Sequence, residues 1–279
     1  MSRTVKGGRV PEGFETNQFE TVQVEVADRI AVLTLNRPQA RNALNSRLTR
    51  ELWLAVEEVV GSDEVDAIVL TGADPAFCAG LDLRELASGT AFRDEEPDPR
   101  PPGLPMRFFP VVDKPIIAAV NGPAITGGFE VALQCTFIIA SERARFADTH
   151  ARVGILPGAG LTALLTEAVG VRRATELSLT GNFLDAQTAY ELGLVNRVVP
   201  HDELMATARA TAADIVSNDQ RAVRALVAHY RGLQDQATLS DRFALEASLH
   251  HDFGGLANPA DRVNGVIERG RTQQRIATP

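Results

Sequence analysis

Two glycine-rich turns hold most of the residues in this chain whose types and spacing could do chemistry. One is Phe77-Cys78-Ala79-Gly80-Leu81-Asp82, and the other runs from Asn121-Gly122-Pro123-Ala124-Ile125-Thr126 to Gly127-Gly128-Phe129-Glu130. Each follows an apolar, β-like run and precedes a helical one. Each can therefore present free backbone N–H groups at a helix start, where the helix dipole favours negative charge. Two such turns facing each other would make an oxyanion hole. The second turn also carries a carboxylate, Glu130, three residues after Gly127. Residues i and i+3 share one face of a helix, so a single element can offer an oxyanion donor and an acid/base group. Glu130 is surrounded in sequence by Phe129, Val131, Ala132 and Leu133. Burial among them would raise its pKa toward the working pH; a place on the helix's polar face would leave it a surface carboxylate.

The elements that must position these turns follow from periodicity. Thr21 to Val26 alternates polar and apolar, Ile30 to Leu35 is largely apolar, and Asp28-Arg29 between them predicts a hairpin. Ser46 is the predicted N-cap of a helix to about Val60, with Leu48, Leu52, Val56 and Val59 at helical spacing. Ala67 to Leu70, Ile116 to Val120 and Phe137 to Ala140 read as short buried strands, and the turn at Gly127 leads into a helix to about Gln134. Short apolar runs separated by helices predict a wound α/β core. From Gly158 the chain reads as mainly helical, with Val195 to Val199 closing one edge. Asp202 to Ser217, Asp219 to Arg231 and Thr238 to Asp252 are predicted helices. Residues 1–18, rich in Gly, Pro and polar types, read as a flexible tail, 19–200 as the core, and 201–279 as a helical region for self-association. Ser88 to Pro110 breaks the pattern with Asp94-Glu95-Glu96 and Pro97, Pro99, Pro101, Pro102 and Pro105. A loop of that length is a functional segment or a plain insertion.

The 279 residues are enough to bury roughly three quarters of the unfolded surface. The net charge of −8 argues against nucleic acid or an anionic membrane as partner. No apolar run reaches membrane-spanning length, and the N-terminus lacks a charged-then-apolar pattern. Cys78 and Cys135 have no metal-ligand spacing and read as buried free thiols. Together these features place the protein in a reducing compartment, the cytoplasm. His250-His251 reads as a helix surface pair, His229 as part of a solvated basic face, and His201 as a helix entry. No nucleophile-elbow serine and no nucleotide-type phosphate loop is present.

The segment Leu70 to Leu83 resembles the first signature of the crotonase superfamily, the enoyl-CoA hydratases and isomerases. Lys114-Pro115-Ile116-Ile117-Ala118-Ala119-Val120-Asn121-Gly122, running on to Glu130, resembles the second. Leu35-Asn36-Arg37-Pro38 with Arg41-Asn42-Ala43-Leu44-Asn45 resembles the family's CoA-contacting turn, and Gly154 to Gly160 a later segment. The resemblance implies the crotonase-type spiral of strands and helices, with a helical C-terminal region that joins subunits into trimers or hexamers. It implies oxyanion donors at Leu81 and Gly127, and Glu130 as the carboxylate that activates water. It implies CoA contacts at Gln39, Ala40, Arg41, Ala43, Ala79, Asp82, Leu83 and Arg84. It also implies an acyl-CoA substrate and no metal or redox cofactor, CoA being part of the substrate. On an acidic protein a polyanionic CoA calls for local cations, for which Arg37, Arg41 and Arg84 are candidates; surface arginines are the alternative for each.

The chain departs from the family at one point. Hydratases carry a second glutamate at the position that His150 occupies within Asp148-Thr149-His150. Imidazole can act as acid or base, and an extended segment would put Asp148 on the same face to orient it. A purely structural histidine is the alternative. The C-terminal run Asn258 to Arg271 lacks the aromatic residue with which the family often closes the CoA pocket. The reaction expected first is addition of water to a 2-enoyl-CoA. Isomerisation, thioester hydrolysis, decarboxylation and acyl-CoA binding without turnover are the alternatives.

Overall fold

The computed structural model describes residues 19–90, 97–101 and 106–234, together with Asp241, Ala244, Leu245, Ser248 and Asp252. In chain order the elements begin with β1 (Val22–Ala27), β2 (Ile30–Leu35), α1 (Ser46–Gly61), β3 (Ala67–Gly72), α2 (Leu83–Ser88) and β4 (Ile116–Val120). Next come β5 (Pro123–Ile125), α3 (Gly127–Gln134), β6 (Phe137–Ser141), β7 (Arg145–Ala147) and α4 (His150–Val153). The chain continues through α5 (Leu161–Val169), α6 (Val171–Thr180), β8 (Leu184–Asp185), α7 (Ala186–Glu191), β9 (Arg197–Val199), α8 (Leu204–Val216) and α9 (Gln220–Gln234). Among the described residues, no helix is long and apolar enough to cross a membrane. The predicted tail over 1–18 and the segment 258–271 lie outside the described residues, as does most of the helix predicted from Thr238.

Six strands form one sheet in the order β1-β2-β3-β4-β6-β9. β1 and β2 form the predicted antiparallel hairpin, and the other pairs are parallel. Asp28 and Arg29 close the hairpin with φ of 53° and 62°, the left-handed backbone that matches the twist of paired strands. β1 keeps one face wet through Gln23 and Glu25, whereas every residue of β3 and β4 is buried. A parallel strand covered on both faces has that pattern. Its alternate residues part into two cores. Ile68, Leu70, Ile116 and Ala118 belong to the cluster that holds Leu48, Leu52 and Val56 of α1. Ala67, Val69, Ile117 and Ala119 belong to the one that holds Leu204, Ala208 and Ala212 of α8. The core thus runs past residue 200, through α8. The chain forms two compact units, and the boundary between them falls after Val227.

Three further findings differ from the periodicity reading. A second sheet, β5-β7-β8, takes its first strand from inside the glycine turn at 121–130. Asn45, not Ser46, caps α1, its Oδ1 accepting the Leu48 N–H at 3.0 Å. Ser46 is turned elsewhere, its Oγ and N–H both donating to Glu85 Oε2. Finally, the end of the proline-rich segment is docked in the core: Phe108, Phe109 and Val112 are buried.

Candidate active site

The first turn is built on Asn42. This residue is fully buried with φ of 55°. Its Nδ2 donates to Ala73 O at 2.8 Å and Ala76 O at 2.7 Å, and its Oδ1 accepts the Arg37 N–H at 2.9 Å. Backbone bonds then lace the neighbouring segments: Ala79 N–H to Arg41 O at 3.0 Å, Leu44 N–H to Gly80 O at 2.7 Å, and Asp82 N–H to Leu44 O at 3.0 Å. The two stretches expected to meet CoA, 39–43 and 79–84, are brought side by side in this way. Gln39, Arg41, Leu83 and Arg84 are exposed, Ala40, Ala79 and Asp82 are half-buried, and Ala43 is buried.

Arg37 is neither a free cation nor a solvated surface group. Its guanidinium donates to Asp82 Oδ2 at 3.1 Å and to Ala43 O, and both side chains of the pair are largely covered. The other carboxylate oxygen of Asp82 accepts the Arg84 N–H and caps α2. Arg41 and Arg84 are left as the exposed members of the expected cation set.

The second turn lies against the first. Cys78 N–H donates to Pro123 O and Ile125 N–H to Cys78 O, each at 3.0 Å. A Cβ on Gly80 would stand 2.8 Å from Ile125 O and 3.6 Å from Gly127 N. Neither Leu81 N–H nor Gly127 N–H has an acceptor among the described residues. Gly127 is the first residue of α3, where an N–H has no partner inside the helix. The two expected oxyanion donors are therefore unengaged, on turns in direct contact. Leu44, Phe108 and Leu81 place apolar side-chain atoms within 4 Å of where a Cβ on Gly127 would be.

Glu130 follows one turn along α3 and is 3% exposed. Its Oε1 accepts the Ala159 N–H at 2.8 Å and the Leu161 N–H at 3.4 Å. Leu161 opens α5. Burial pushes the Glu130 pKa above the ordinary carboxylate value, and the bond from Ala159 and the neighbouring His150 only partly counter it. Its Oε2 lies 3.9 Å from His150 Nε2. That is too long for a hydrogen bond but close enough for a proton to pass through one small bridging group.

On its other side, His150 Nδ1 lies 2.7 Å from Asp148 Oδ1, which also accepts the His150 backbone N–H at 3.1 Å. Burial raises the Asp148 pKa, but hydrogen bonds from His150 and Ser178 outweigh it and hold the carboxyl below its ordinary value. An ionised carboxylate only accepts, so Nδ1 carries the hydrogen and Nε2 faces Glu130. Asp148 does orient His150, but not through an extended segment. His150 is the first residue of α4, and Asp148 reaches it as a side chain folding over a helix start.

Two sets of groups that hold this site are given no role by the motifs: the Asn42 side chain and the N–H groups of Ala159 and Leu161. Gly158-Ala159-Gly160 ahead of an apolar helical run was the available signal for the second of these. His201 forms a separate network, Nε2 to Asp74 Oδ2 and Nδ1 to Ser141 Oγ, each at 3.1 Å. Cys78 and Cys135 are buried free thiols, and burial pushes Cys78 up to about 12. Among the described residues, no group of three His, Cys, Asp or Glu side chains could hold a metal.

Residues 25–272 match the family model described as enoyl-CoA hydratase/isomerase. The chain belongs to that family. It is 37% identical over 262 residues to a probable enoyl-CoA hydratase of Mycobacterium bovis, covering 91% of this chain and 98% of the relative. The crystal structure of enoyl-CoA hydratase from Mycobacterium smegmatis is 44% identical and superposes with a TM-score of 0.70, covering 83% of this chain and 97% of the other. For the enoyl-CoA hydratase from Bacillus anthracis the TM-score is 0.78 at 30% identity, with 90% and 97% covered. The crotonase-type α/β fold expected from the motifs is the fold of this family member.

Proposed function

We propose that this protein adds water across the 2,3-double bond of an enoyl-CoA, without a metal or redox cofactor. The observation that carries the reading is the pairing of two unengaged N–H groups, on Leu81 and Gly127, with a buried Glu130–His150 pair beside one of them. Relatives named enoyl-CoA hydratase support it. Water attack at the β-carbon moves the π electrons toward the thioester oxygen. The Leu81 and Gly127 N–H groups receive that charge, each worth about 3–4 kcal/mol when fixed and dry. Glu130 takes the proton that the water loses as its oxygen bonds to the β-carbon. His150, which must start with a second proton on Nε2, delivers that proton to the α-carbon as the enolate collapses. Proton transfer from Glu130 to His150 across the gap between them then restores the starting state. CoA lies along 39–43 and 79–84, its phosphates near Arg41 and Arg84.

The chain self-associates as a homotrimer or homohexamer through helices after Gly158 and the region 201–279, and it works in the cytoplasm. Exposed Val171, Leu179 and Phe183 support the first, and the two free thiols support a reducing compartment. Incubation with crotonyl-CoA tests the activity. A 3-hydroxyacyl-CoA product is expected. A shifted double bond would replace hydration by isomerisation, free CoA would indicate thioester hydrolysis, and tight binding without product would leave a binding protein.

A further inference from the structure

The residue before the oxyanion donor has a backbone that its side chain disfavours. Thr126 has φ 53° and ψ −111°. These angles belong to the first central position of a type II′ turn, a place glycine fills without cost. A β-branched residue there is strained, and strain of this kind persists only where the surroundings fix it. Thr126 is buried and held at three points. Its N–H donates to Ala147 O at 2.8 Å and its carbonyl accepts the Glu130 N–H at 3.0 Å. Its Oγ1 lies 2.6 Å from Thr149 Oγ1 and accepts the Thr149 N–H at 3.3 Å.

These contacts reach both halves of the site. Gly127 follows Thr126, Glu130 is hydrogen-bonded to it, and Thr149 precedes His150. Glycine would take the same backbone without strain but could not make the hydroxyl contact, so the hydroxyl is what threonine adds. We propose that Thr126 and Thr149 form a positioning clamp. Their hydroxyl pair holds the Gly127 N–H and the His150 ring in one mutual geometry. The clamp rests on the reading of Gly127 as an oxyanion donor. It implies that the turn and α4 move as one body, so that loosening either hydroxyl misaims both groups.

The test uses Thr126→Val and Thr149→Val, which keep the shape and remove the hydroxyl, with Thr126→Ser and Thr149→Ser as conservative rescues. Two readouts are followed: crotonyl-CoA kinetics, and the near-ultraviolet enolate band of bound acetoacetyl-CoA, which reports oxyanion stabilisation without any hydration. Each valine variant should lose about 10- to 100-fold in kcat, the cost of a misplacement of about 1 Å, with little change in KM and a weaker enolate band. The serine variants should retain most of both signals. The double valine variant should be no worse than either single one, because both remove the same contact. Valine variants with wild-type kcat and band, or losses that multiply in the double variant, would overturn the clamp while leaving the oxyanion reading intact. A wild-type enzyme that gives no enolate band would overturn the oxyanion reading, and the clamp with it. Should Thr126→Val fail to fold, Thr149→Val carries the test, since Thr149 is only half-buried.

Discussion

Glu130 and Asp148 flank one imidazole and are pushed in opposite directions. Burial raises the Glu130 pKa above the ordinary carboxylate value. Its contribution to stability is complete below the ordinary carboxylate range and is lost as pH rises through the higher folded-state value. Glu130→Gln keeps the shape and cannot ionise. Urea titrations from about pH 4 to about pH 8 should show this variant gaining stability relative to wild type as pH rises. A gap that stays flat or reverses would mean that Glu130 ionises there without penalty. In kinetics the same variant should lose about a hundred- to ten-thousand-fold in kcat while still binding acyl-CoA. Asp148 follows the other sign. Its lowered pKa gives stability that is present above the ordinary carboxylate range and lost as pH falls through the folded-state value. Asp148→Asn should therefore be less stable than wild type at neutral pH, with the gap closing toward acid. It should also lower kcat, because an amide lacks the charge that holds the Nδ1 hydrogen and offsets a proton on Nε2. Normal kcat in Asp148→Asn and in His150→Ala would take both residues out of the mechanism.

At the scale of elements, the site depends on how closely α3 approaches the first turn. A Cβ on Gly128 would stand 2.1 Å from Cys78 O and 2.7 Å from Cys78 Cβ. Backbone meets backbone there, and neither side can step aside. Gly128→Ala should cost at least about 1–3 kcal/mol, read as a lowered urea midpoint or loss of folded protein. Gly61, at the exposed end of α1, meets nothing within 4 Å. Gly61→Ala should be neutral or stabilising by up to about 1 kcal/mol. Equal midpoints for the two variants would show that packing at Gly128 is looser than its geometry demands. Asn42 acts at the same scale: its Oδ1 accepts from Arg37 within the 37–44 segment, and its Nδ2 ties that segment to Ala73 and Ala76 beyond β3.

At the scale of the whole molecule, a net charge of −8 coexists with large apolar side chains left open beyond α4: Leu156, in the loop before α5, is 87% exposed and Leu179 of α6 75%. Where such side chains gather into one patch they mark an association surface. Sedimentation of wild type at micromolar concentration should give the mass of three or six chains, and Leu179→Glu with Phe183→Asp should lower it. A clean monomer for wild type would remove the assembly proposal without touching the site.

What the sequence determined by itself follows from where its physics is local. The spacing of Leu48, Leu52, Val56 and Val59 made α1 legible. Unbroken apolar runs bounded by turns made β3, β4 and β6 legible, and Gly127 three residues before Glu130 placed a donor and a carboxylate on one helix turn. The family was legible for the same reason, since its motifs are continuous stretches of chain. The second sheet was not, because strands of two or three residues are too short to carry a period. Nor was the cap of α1, since Asn45 and Ser46 are equally good caps until Glu85, remote in sequence, engages the serine. Only the tertiary structure decided that Arg37 is spent on Asp82, that Ala159 and Leu161 hold Glu130, and that Thr126 meets Thr149. Each of those contacts joins groups separated by more than twenty residues, and no local pattern encodes a partner that the chain reaches only by folding.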